Sequence, residues 1–349
     1  MQTKPNLYLF PELPGKKSGY QIAVAEDFQR LNPSREDFVV FVTSDVRGVL
    51  RSGNTVQIGR NIPALRAWSL LSVGHPSFFS GRFLMRILRH QFGTLDFGTV
   101  FLGDINFAQL ADQFDAECIR IRLHNLYVRM FCNMRSACLG PRYLRMYYDA
   151  VVGARLERGL FRLAERDRRV EFLFISKEEE AYAHEHHGVE RRDAWLMSPP
   201  TLAPGVAVGS DRWDGRLVWV GGLSSHKLAG MRYFIRRVYL PLRRKRQEVS
   251  LTIIGAGGGC FHDPTVGIEA LGFVPHLDYK GFAGALFVNP DIVGGGVKLK
   301  MREFYSHGVN CISTILGIEG FSSLLGWRGL IVRPIEQWLS YLLAAEVLR

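Results

Sequence analysis

Short apolar runs of strand length alternate with helix-like segments along most of this chain, and that alternation restricts the fold more than any other feature. The chain opens with LYLF (Leu7–Phe10), a loop, a helix candidate over 20–31 and a second apolar run, FVVFVT (Phe38–Thr43). The later strand candidates, separated by helix-like segments such as 229–246, are 99–104, 118–124, 170–176, 216–222, 250–259, 284–290 and 310–314. A chain that returns through a helix after each strand pairs its strands in parallel. The sequence therefore predicts an α/β fold with mostly parallel sheets.

One stretch breaks this alternation. Residues 197–216 read MSPPTLAPGVAVGSDRWDGR, in which prolines, glycines and polar residues remove all periodicity. At 349 residues the chain is also too long for one ordinary core and suits two domains. We predict an N-terminal domain over 1–200, a linker over 201–215 and a C-terminal domain over 216–349, whose last helix could cross back to the first domain.

Composition excludes several classes of protein. Hydrophobic residues make up 47% of the chain and charged residues 22%, so the chain can fill a packed interior and is not disordered. Five cysteines with no C-x-x-C pair argue against a disulfide framework and against a structural zinc site. No uncharged apolar run approaches the ~20 residues that span a bilayer, and the N-terminus lacks the order of a signal peptide. These features predict a globular cytoplasmic protein.

The formal net charge of +11, with a pI near 9.6, calls for an anionic partner. Nucleic acid, anionic lipid and nucleotide phosphates all qualify. Nucleic acid is disfavoured, because the basic residues are not interleaved with aromatic residues and no recognition helix is evident. The basic amphipathic segment 82–90 (RFLMRILRH) could lie on an anionic membrane surface, or it could be an ordinary helix that packs its apolar face into a core.

A glycine-rich loop followed by a lysine-rich helix start lies in the C-terminal half. The loop consists of Gly294, Gly295 and Gly296, and the predicted helix opens with Val297, Lys298, Leu299 and Lys300. Glycine lets a backbone approach an anion closely, and the free N–H groups and dipole at a helix N-terminus favour negative charge. The combination predicts a phosphate-binding site, in which Glu303, one helical turn beyond Lys300, could bind a sugar hydroxyl.

Two further glycine loops follow strand candidates of the same half. In GGLSSHKLAGM (221–231), Gly222 and Lys227 are phosphate-binding candidates, since doubly wound domains place a phosphate between the first strand and its helix. In IIGAGGG (253–259), Gly255 and Gly257 do not continue as a dinucleotide fingerprint, because Cys260 stands at the third glycine position. A Gly-Gly pair after a strand could equally be an ordinary turn that binds nothing.

In the N-terminal half, His124 ends the strand candidate 118–124. This position lies at the carboxyl edge of the predicted sheet, where sites of α/β proteins collect. A lone histidine is also often a structural group, so both interpretations stay open.

The segment 289–321 resembles the donor-binding region of retaining GT-B glycosyltransferases of the group 1 (family 4-like) type. That family's pattern runs proline, a glycine-rich loop, lysine and glutamate, followed by G-x-P-V-V-x-T-x-x-G-x-E-G. The chain departs from the pattern at Gly295, where many members have a second glutamate, and at Asn310, which replaces a proline. The matching residues are Pro290, the three loop glycines, Lys300, Glu303, Gly308, Thr314, Gly317, Glu319 and Gly320.

The resemblance implies a GT-B architecture, with two Rossmann-like doubly wound domains facing a central cleft. It also implies residue roles: lysines and loop amides neutralise the donor diphosphate, and Glu303 binds the nucleotide ribose. IRIRLHNLY is similar to an R-x-H-N motif of the family, which places His124 by the transferred sugar, and Gly19 matches one glycine of an acceptor-side pair. The catalytic candidates are His124, Lys227, Lys300 and Glu303. The donor-binding candidates are Gly222, Gly255, Gly257, Gly294, Gly295, Gly296, Val297, Lys298 and Glu319.

The predicted function is transfer of a hexose, with retention, from a nucleotide-sugar donor to a saccharide or lipid-linked acceptor. Synthesis of bacterial cell-surface polysaccharide or glycolipid would suit it, with the protein in the cytoplasm or peripheral on the cytoplasmic face of the inner membrane. No metal or other cofactor is expected, because lysines and a helix N-terminus would neutralise the leaving group and no Asp-x-Asp pair is evident. A sugar-nucleotide epimerase of the same fold and a non-catalytic GT-B subunit are the alternatives.

Overall fold

The computed structural model describes residues 4–15, 19–43, 45–59, 81–93, 95–136, 143–189, 197, 212–223 and 225–344. Its α-helices are α1 (Gly19–Leu31), α2 (Gly81–Phe92), α3 (Tyr127–Ser136), α4 (Leu144–Arg166), α5 (Lys177–His187), α6 (Ser225–Phe234), α7 (Leu240–Lys245), α8 (Leu299–Ser306) and α9 (Trp338–Ala344). Its strands are β1 (Leu7–Phe10), β2 (Phe38–Thr43), β3 (Val49–Ser52), β4 (Thr55–Gly59), β5 (Asp96–Leu102), β6 (Asp115–Leu123), β7 (Val170–Phe174), β8 (Arg216–Val220), β9 (Ser250–Ile254), β10 (Ile268–Gly272), β11 (Leu286–Asn289), β12 (Cys311–Ser313) and β13 (Leu330–Val332). Helices and strands alternate, so the predicted α/β fold is confirmed.

The described residues form two compact units. The first lies within Met1–Phe131 and Tyr148–Pro199, and the second within Cys132–Tyr147 and Pro200–Arg349. The end of α3 and the start of α4 thus belong with the second unit, whereas the sequence analysis assigned all of 1–200 to one domain. Most of the predicted linker, 201–211, lies outside the described residues, and the boundary there stays a prediction.

The first unit is built on a seven-stranded sheet of order β3-β4-β2-β1-β5-β6-β7. All neighbouring strands pair in parallel except β3 and β4, which form an antiparallel hairpin at one edge. The turn of this hairpin is Gly53-Asn54, and Gly53 has a φ of 59°, a conformation that glycine adopts without strain. The hairpin was not predicted from the sequence, because polar residues interrupt its apolar pattern, although a Gly-Asn pair is a hairpin signal.

The amphipathic segment 82–90 belongs to α2, and its apolar side packs into the first unit. Leu84 and Leu88 are buried in the core, while Arg86 and Arg89 are exposed. The ordinary packing alternative therefore holds for this helix, since an apolar face that is used in a core is not presented to a membrane. Within the described ranges, no helix is both long and apolar enough to cross a bilayer.

A buried ion pair joins α1 to β6 and β7 in the first unit. The Arg122 guanidinium donates two hydrogen bonds to the Asp27 carboxylate, at 2.9 and 3.1 Å, and a third to the Phe174 carbonyl oxygen at 3.1 Å. The two side chains are 1% and 6% exposed. Arg122, which the sequence analysis grouped with His124 in one motif, is thus occupied in holding the helix to the sheet.

The second unit contains a six-stranded sheet of order β10-β9-β8-β11-β12-β13, in which all neighbours pair in parallel. Counted from β8, this is the order 3-2-1-4-5-6 of a doubly wound Rossmann-type sheet. The chain moves outward from β8 to β10 and then starts again at β11, beside β8. The loops after β8 and β11 therefore leave neighbouring strands at one edge, where such sheets open a binding crevice.

The helix predicted over 229–246 is interrupted. A π-helical turn, Ile235–Tyr239, lies between α6 and α7, and the Leu240 N–H donates to the Ile235 carbonyl oxygen across it. Pro241, in the first turn of α7, has no N–H for an ordinary helical hydrogen bond. The wider turn accommodates that missing donor.

The last helix, α9, packs on the second unit. The Trp338 ring contacts the Phe234 ring edge-on at 5.8 Å, and Trp338 and Leu342 are both buried in that unit's core. In its described part, α9 thus stays with the domain that precedes it. Residues 345–349 lie outside the described residues.

We expect Asp27→Ala to lower the free energy of unfolding of the first unit by about 3–5 kcal/mol, because it leaves the Arg122 charge buried without its partner. Asp27→Leu combined with Arg122→Met removes both charges and should cost clearly less. Hydrogen exchange of peptides from β6 and β7 reports the opening of this sheet. Equal losses of protection in the single and the double variant would contradict this role for the ion pair.

Candidate functional site

The candidate site of the second unit lies where β8 and β11 end. β8 is followed by Gly221 and Gly222 and then by α6, and β11 is followed by a longer loop and then by α8. Because these strands are neighbours in a parallel sheet, both loops lead to helix N-termini at the same edge. This is the place where doubly wound sheets bind phosphate groups.

Glycines allow the loops after β8 and β9 to cross each other closely. The Gly221 N–H donates to the Ile254 carbonyl oxygen at 2.9 Å, and a Cβ on Gly255 would overlap the Gly221 carbonyl oxygen. Gly255 also has a φ of 133°, and Gly257, with a φ of 83°, precedes a 3-10 turn. These two donor-site candidates thus have a structural reason to be glycine. Gly222, in contrast, is exposed and borders open space.

The triple-glycine loop is held by side chains that donate to its carbonyl groups. The Lys298 ammonium donates to the Gly295 and Gly296 carbonyl oxygens, both at 2.8 Å, and the Asn133 amide donates to the Gly294 carbonyl oxygen at 3.0 Å. In a trans peptide the C=O and N–H groups point in opposite directions, so the next N–H groups in the chain point away from Lys298. The loop therefore presents amides on one side and is fastened on the other.

One expectation for this segment differs from the structure. The helix begins at Leu299, with Lys298 as its N-cap, whereas we predicted that Val297 would open it. The Lys298 ammonium donates to two loop carbonyls and thereby shapes the loop, and its direct contact with a phosphate stays a prediction. Val297 packs against Gly320 so closely that a Cβ on Gly320 would overlap the Val297 side chain.

Lys300 is a buried lysine whose ammonium faces an acid. Its side chain is 10% exposed, and its Nζ lies 3.6 Å from Oδ1 of Asp291, which is 2% exposed. The Trp219 ring centroid lies 5.4 Å from the same Nζ. Within the described part of the chain, this Nζ makes no hydrogen bond. An ammonium so placed lacks the hydrogen-bond acceptors that water would have supplied.

Burial has the largest effect on the pKa values of Lys227 and Lys300, followed by the charge of Asp291. Burial lowers the pKa of Lys300 to about 8, with the Lys227 and Lys298 charges adding to the effect and the Asp291 carboxylate opposing it. Burial also lowers the pKa of Lys227, again opposed by Asp291 and assisted by Lys298. Three ammonium groups thus act on one another beside the Asp291 carboxylate, and a multiply charged anion would relieve the excess of positive charge.

Glu303 and its partner Tyr279 form the next part of the site. Glu303 lies on α8, and its Oε2 accepts a hydrogen bond from the Tyr279 hydroxyl at 3.1 Å. The Tyr279 ring stacks on His307 with ring centroids 4.1 Å apart. Burial raises the pKa of Tyr279, and the Glu303 charge raises it further, so the hydroxyl remains a donor. Tyr279 was not predicted as a site residue, since it lies in a 3-10 turn and belongs to no recognisable motif.

Residues after β12 hold the loop that carries Asp291. The Thr314 hydroxyl donates to the main-chain carbonyl oxygen of Asp291 and accepts from the Gly317 N–H at 3.0 Å. The Glu319 main-chain carbonyl oxygen accepts from the Lys298 N–H at 3.3 Å, and its side chain is buried. Thr314, Gly317 and Glu319, matched from the sequence pattern, thus support the lysine-bearing loop.

The remaining candidates, His124 and Gly19, belong to the first unit. His124 follows β6 and is buried, and its Nε2 lies 3.0 Å from the Gly103 carbonyl oxygen, which follows β5. A carbonyl oxygen only accepts, so Nε2 carries a proton. Burial, with the Arg122 charge, lowers the pKa of His124 to about 3, and the imidazole is neutral at physiological pH. Gly19 is the first residue of α1.

No group of three or more histidine, cysteine, aspartate or glutamate side chains is placed to hold a metal ion among the described residues. Metal independence stays a prediction, because it concerns the reaction and not the resting site.

Comparison with known proteins gives the fold. No family model matches the chain, and no curated protein sequence matches it. The structure is similar to α,α-trehalose 6-phosphate synthase from Burkholderia multivorans, with a TM-score of 0.53 and 12% identity over 98% of this chain and 91% of that one. The structure is also similar to WaaG, a glycosyltransferase involved in lipopolysaccharide biosynthesis, with a TM-score of 0.52 and 13% identity over 97% of this chain and 89% of that one. For Anabaena HepE in complex with UDP, the TM-score is 0.51 and the identity is 11% over 97% of this chain and 88% of that one. With its two Rossmann-type sheets, the chain has the GT-B fold.

We expect the Lys300 amine to titrate near pH 8 in the free protein, whereas an ordinary lysine titrates at about 10.4. Between these values the unfolded chain binds more protons than the folded one, so the Lys300 contribution makes stability rise with pH across that window. A pH titration of lysine side-chain NMR signals checks this, with the Lys300 signal assigned by its loss in Lys300→Met. A midpoint for Lys300 above pH 10 would contradict the described burial of its charge.

Proposed function

We propose that this protein is a glycosyltransferase that moves a sugar from a nucleotide-sugar donor to the hydroxyl group of an acceptor, with retention of anomeric configuration. One observation carries the proposal, namely the largely buried cluster of Lys227, Lys298 and Lys300 beside a glycine loop at the switch point of a Rossmann-type sheet. Such a site suits the diphosphate of a nucleotide sugar, since a single monoanion would leave positive charge uncompensated.

In the proposed reaction, the bond between the anomeric carbon and the diphosphate oxygen breaks while the acceptor oxygen attacks the same face of the sugar. Negative charge grows on the departing diphosphate, and its oxygen takes the proton of the acceptor hydroxyl. Lys227 and Lys300 stabilise this growing charge, and their burial strengthens the interaction because little water screens it. Lys298 acts indirectly, by fastening the loop whose amides face the diphosphate.

The nucleotide would be held by Glu303. Its carboxylate accepts a hydrogen bond from Tyr279, which leaves further lone pairs for the ribose hydroxyls. The similar Anabaena protein HepE is in complex with UDP, which supports a nucleoside diphosphate as the bound group. His124, neutral and fixed to Gly103, would lie by the transferred sugar and would bind it through hydrogen bonds, without adding a positive charge.

The proposal extends to a hexose donor, a metal-independent reaction and a saccharide or lipid-linked acceptor in cell-surface polysaccharide or glycolipid synthesis. Lysines at the diphosphate do the work that a divalent cation does elsewhere, which supports metal independence. A peripheral location on the cytoplasmic face of a bacterial inner membrane rests on the net charge of +11, since α2 uses its apolar face in the core.

We expect the purified protein, offered a panel of nucleotide sugars, to release a nucleoside diphosphate from one donor only when bacterial membrane lipid extract or a saccharide acceptor is added. Lys300→Met and Glu303→Gln should each lower kcat/KM by about 100-fold or more, because each removes a group that holds the donor in the transition state. The matched controls are Lys245→Met and Glu269→Gln, which change exposed residues of the same unit.

Three outcomes would contradict the proposal. Donor binding without release under any condition would indicate a non-catalytic subunit. Conversion of the donor to an epimer without acceptor would indicate the epimerase alternative. Equal activity of Lys300→Met and Lys245→Met would remove the lysine cluster from the mechanism.

We expect His124→Asn to lower kcat/KM by about tenfold, which corresponds to the loss of one hydrogen bond to the sugar. The dependence of kcat/KM on pH should keep the same shape in the variant. The reason is that the pKa of His124, lowered to about 3 by burial, keeps the imidazole neutral over the whole working range. The measurement is kcat/KM of both proteins from pH 5 to pH 9. Loss of an ionisation near pH 6 to 7 in the variant would show that His124 titrates during catalysis.

A further inference from the structure

The lysine cluster of the second unit contains an acid, Asp291, that the phosphate-binding expectation does not account for. A carboxylate repels phosphate, so its position within a phosphate site needs a physical reason. Asp291 follows Pro290 directly after β11, and its side chain is 2% exposed. The inference drawn from it rests on the proposed function, since it concerns the same site.

Asp291 is fixed from both its main chain and its side chain. Its main-chain carbonyl oxygen accepts the Thr314 hydroxyl from the segment after β12. Its Oδ1 lies 3.6 Å from the Lys300 Nζ. The main chain before Asp291 is fixed as well, because Pro290 packs against α6 so closely that a Cβ on Gly230 would overlap the Pro290 carbonyl oxygen.

The groups that face Lys300 come from every element around it. Lys227 approaches from α6 and Lys298 from the start of α8, while the Cys311 thiol lies on β12 and the Trp219 ring on β8. Among these neighbours, Asp291 supplies the negative charge. With the three lysines protonated and Asp291 ionised, the cluster carries a net charge of +2, obtained as three positive charges less one.

The Asp291 carboxylate has opposite effects on this cluster when the site is empty and when it is occupied. Without a ligand, three buried ammonium groups would repel one another and would lose hydration, and a carboxylate among them reduces both costs. With a diphosphate bound, the same carboxylate lies close to the phosphate charges and opposes binding.

We propose that Asp291 is the internal counter-ion of the lysine cluster, which keeps the lysines charged and in place while the site is empty and weakens the hold on the diphosphate so that the product can leave. The site is thereby matched to a dianionic or trianionic ligand, since a net charge of +2 remains after Asp291 is counted. Asp291 is a positioning residue in this arrangement, because it acts through the lysines and on release.

The test uses inorganic pyrophosphate, which carries the diphosphate charge and needs no sugar transfer. Calorimetry on the full chain at pH 6.5 should show that Asp291→Asn binds pyrophosphate about tenfold more tightly than the wild type, because one nearby negative charge is removed. At pH 9.5 this gain should shrink, because the pKa of Lys300 is about 8 even with Asp291 present, and the lysine loses its proton. Asp112→Asn, which removes an exposed charge of the first unit, is the matched control and should bind as the wild type does.

A thermal measurement gives a second readout, in which recovery of Tm by an added anion separates the counter-ion role from a merely structural one. Without ligand, Asp291→Asn should have a lower Tm than the wild type, and saturating pyrophosphate should restore most of the difference, because the added anion replaces the lost carboxylate. Asp291→Ser provides a second neutral variant if the asparagine variant does not fold. In the transferase assay, Asp291→Asn should also show a lower kcat and stronger inhibition by nucleoside diphosphate, as slow product release requires.

Weaker or unchanged pyrophosphate binding by both neutral variants at pH 6.5 would overturn the proposal, as would a Tm loss that pyrophosphate does not restore. Absence of pyrophosphate binding by the wild type would overturn it as well. Failure of the proposed function is distinguishable, since tighter pyrophosphate binding by Asp291→Asn without any nucleoside diphosphate release would leave the counter-ion role standing and remove only the transferase activity.

Discussion

All neighbouring strands in the sheet of the second unit run in the same direction, and the arrangement of the candidate site follows from this constraint. Parallel strands require a return connection after each strand, so the loops that follow β8, β9, β11 and β12 meet at one edge. Four segments distant along the chain thus share a small volume. Lys227, Asp291 and Lys300 come together there because each lies just after a strand or at the start of the helix that follows it.

Such a meeting of loops is possible only where side chains are absent. Gly255 lies against the Gly221 carbonyl group, Gly230 against that of Pro290, and Gly320 against the Val297 side chain, and in each case a Cβ would overlap its neighbour. The glycines of this unit thus serve close packing of loops and helices as much as access for a ligand. The carbonyl groups of the triple-glycine loop, in turn, are fastened by the side chains of Lys298 and Asn133.

The two units use buried charge in different ways. In the first, Arg122 is matched by Asp27 with two hydrogen bonds, and its Nη1 donates to the Leu173 and Phe174 carbonyl oxygens. That pair is complete and holds α1 to the sheet. In the second, positive charge exceeds negative charge, and the Lys300 ammonium has a carboxylate at 3.6 Å but no hydrogen bond within the described residues. A complete pair is suited to a structural role, whereas an incomplete one is suited to a charged ligand.

Periodicity and glycine placement are local properties, so the chain alone was enough to predict the α/β class, the core strands such as β6 and β11 and the loop Gly294–Gly296. The GT-B fold was predicted from the resemblance of the segment 289–321 to a known family. Two features were not predicted from the sequence. The hairpin β3–β4 has a weak apolar pattern, and the π-helical turn before Pro241 depends on the single main-chain N–H that proline lacks. Tertiary structure alone decided that Lys298 bonds the carbonyls of its own loop, that Tyr279 holds Glu303 and that Asp291 lies among the lysines. The physical reason is that hydrogen bonds, burial and pKa values depend on neighbours in space, and those neighbours come from strands and loops far apart in the sequence.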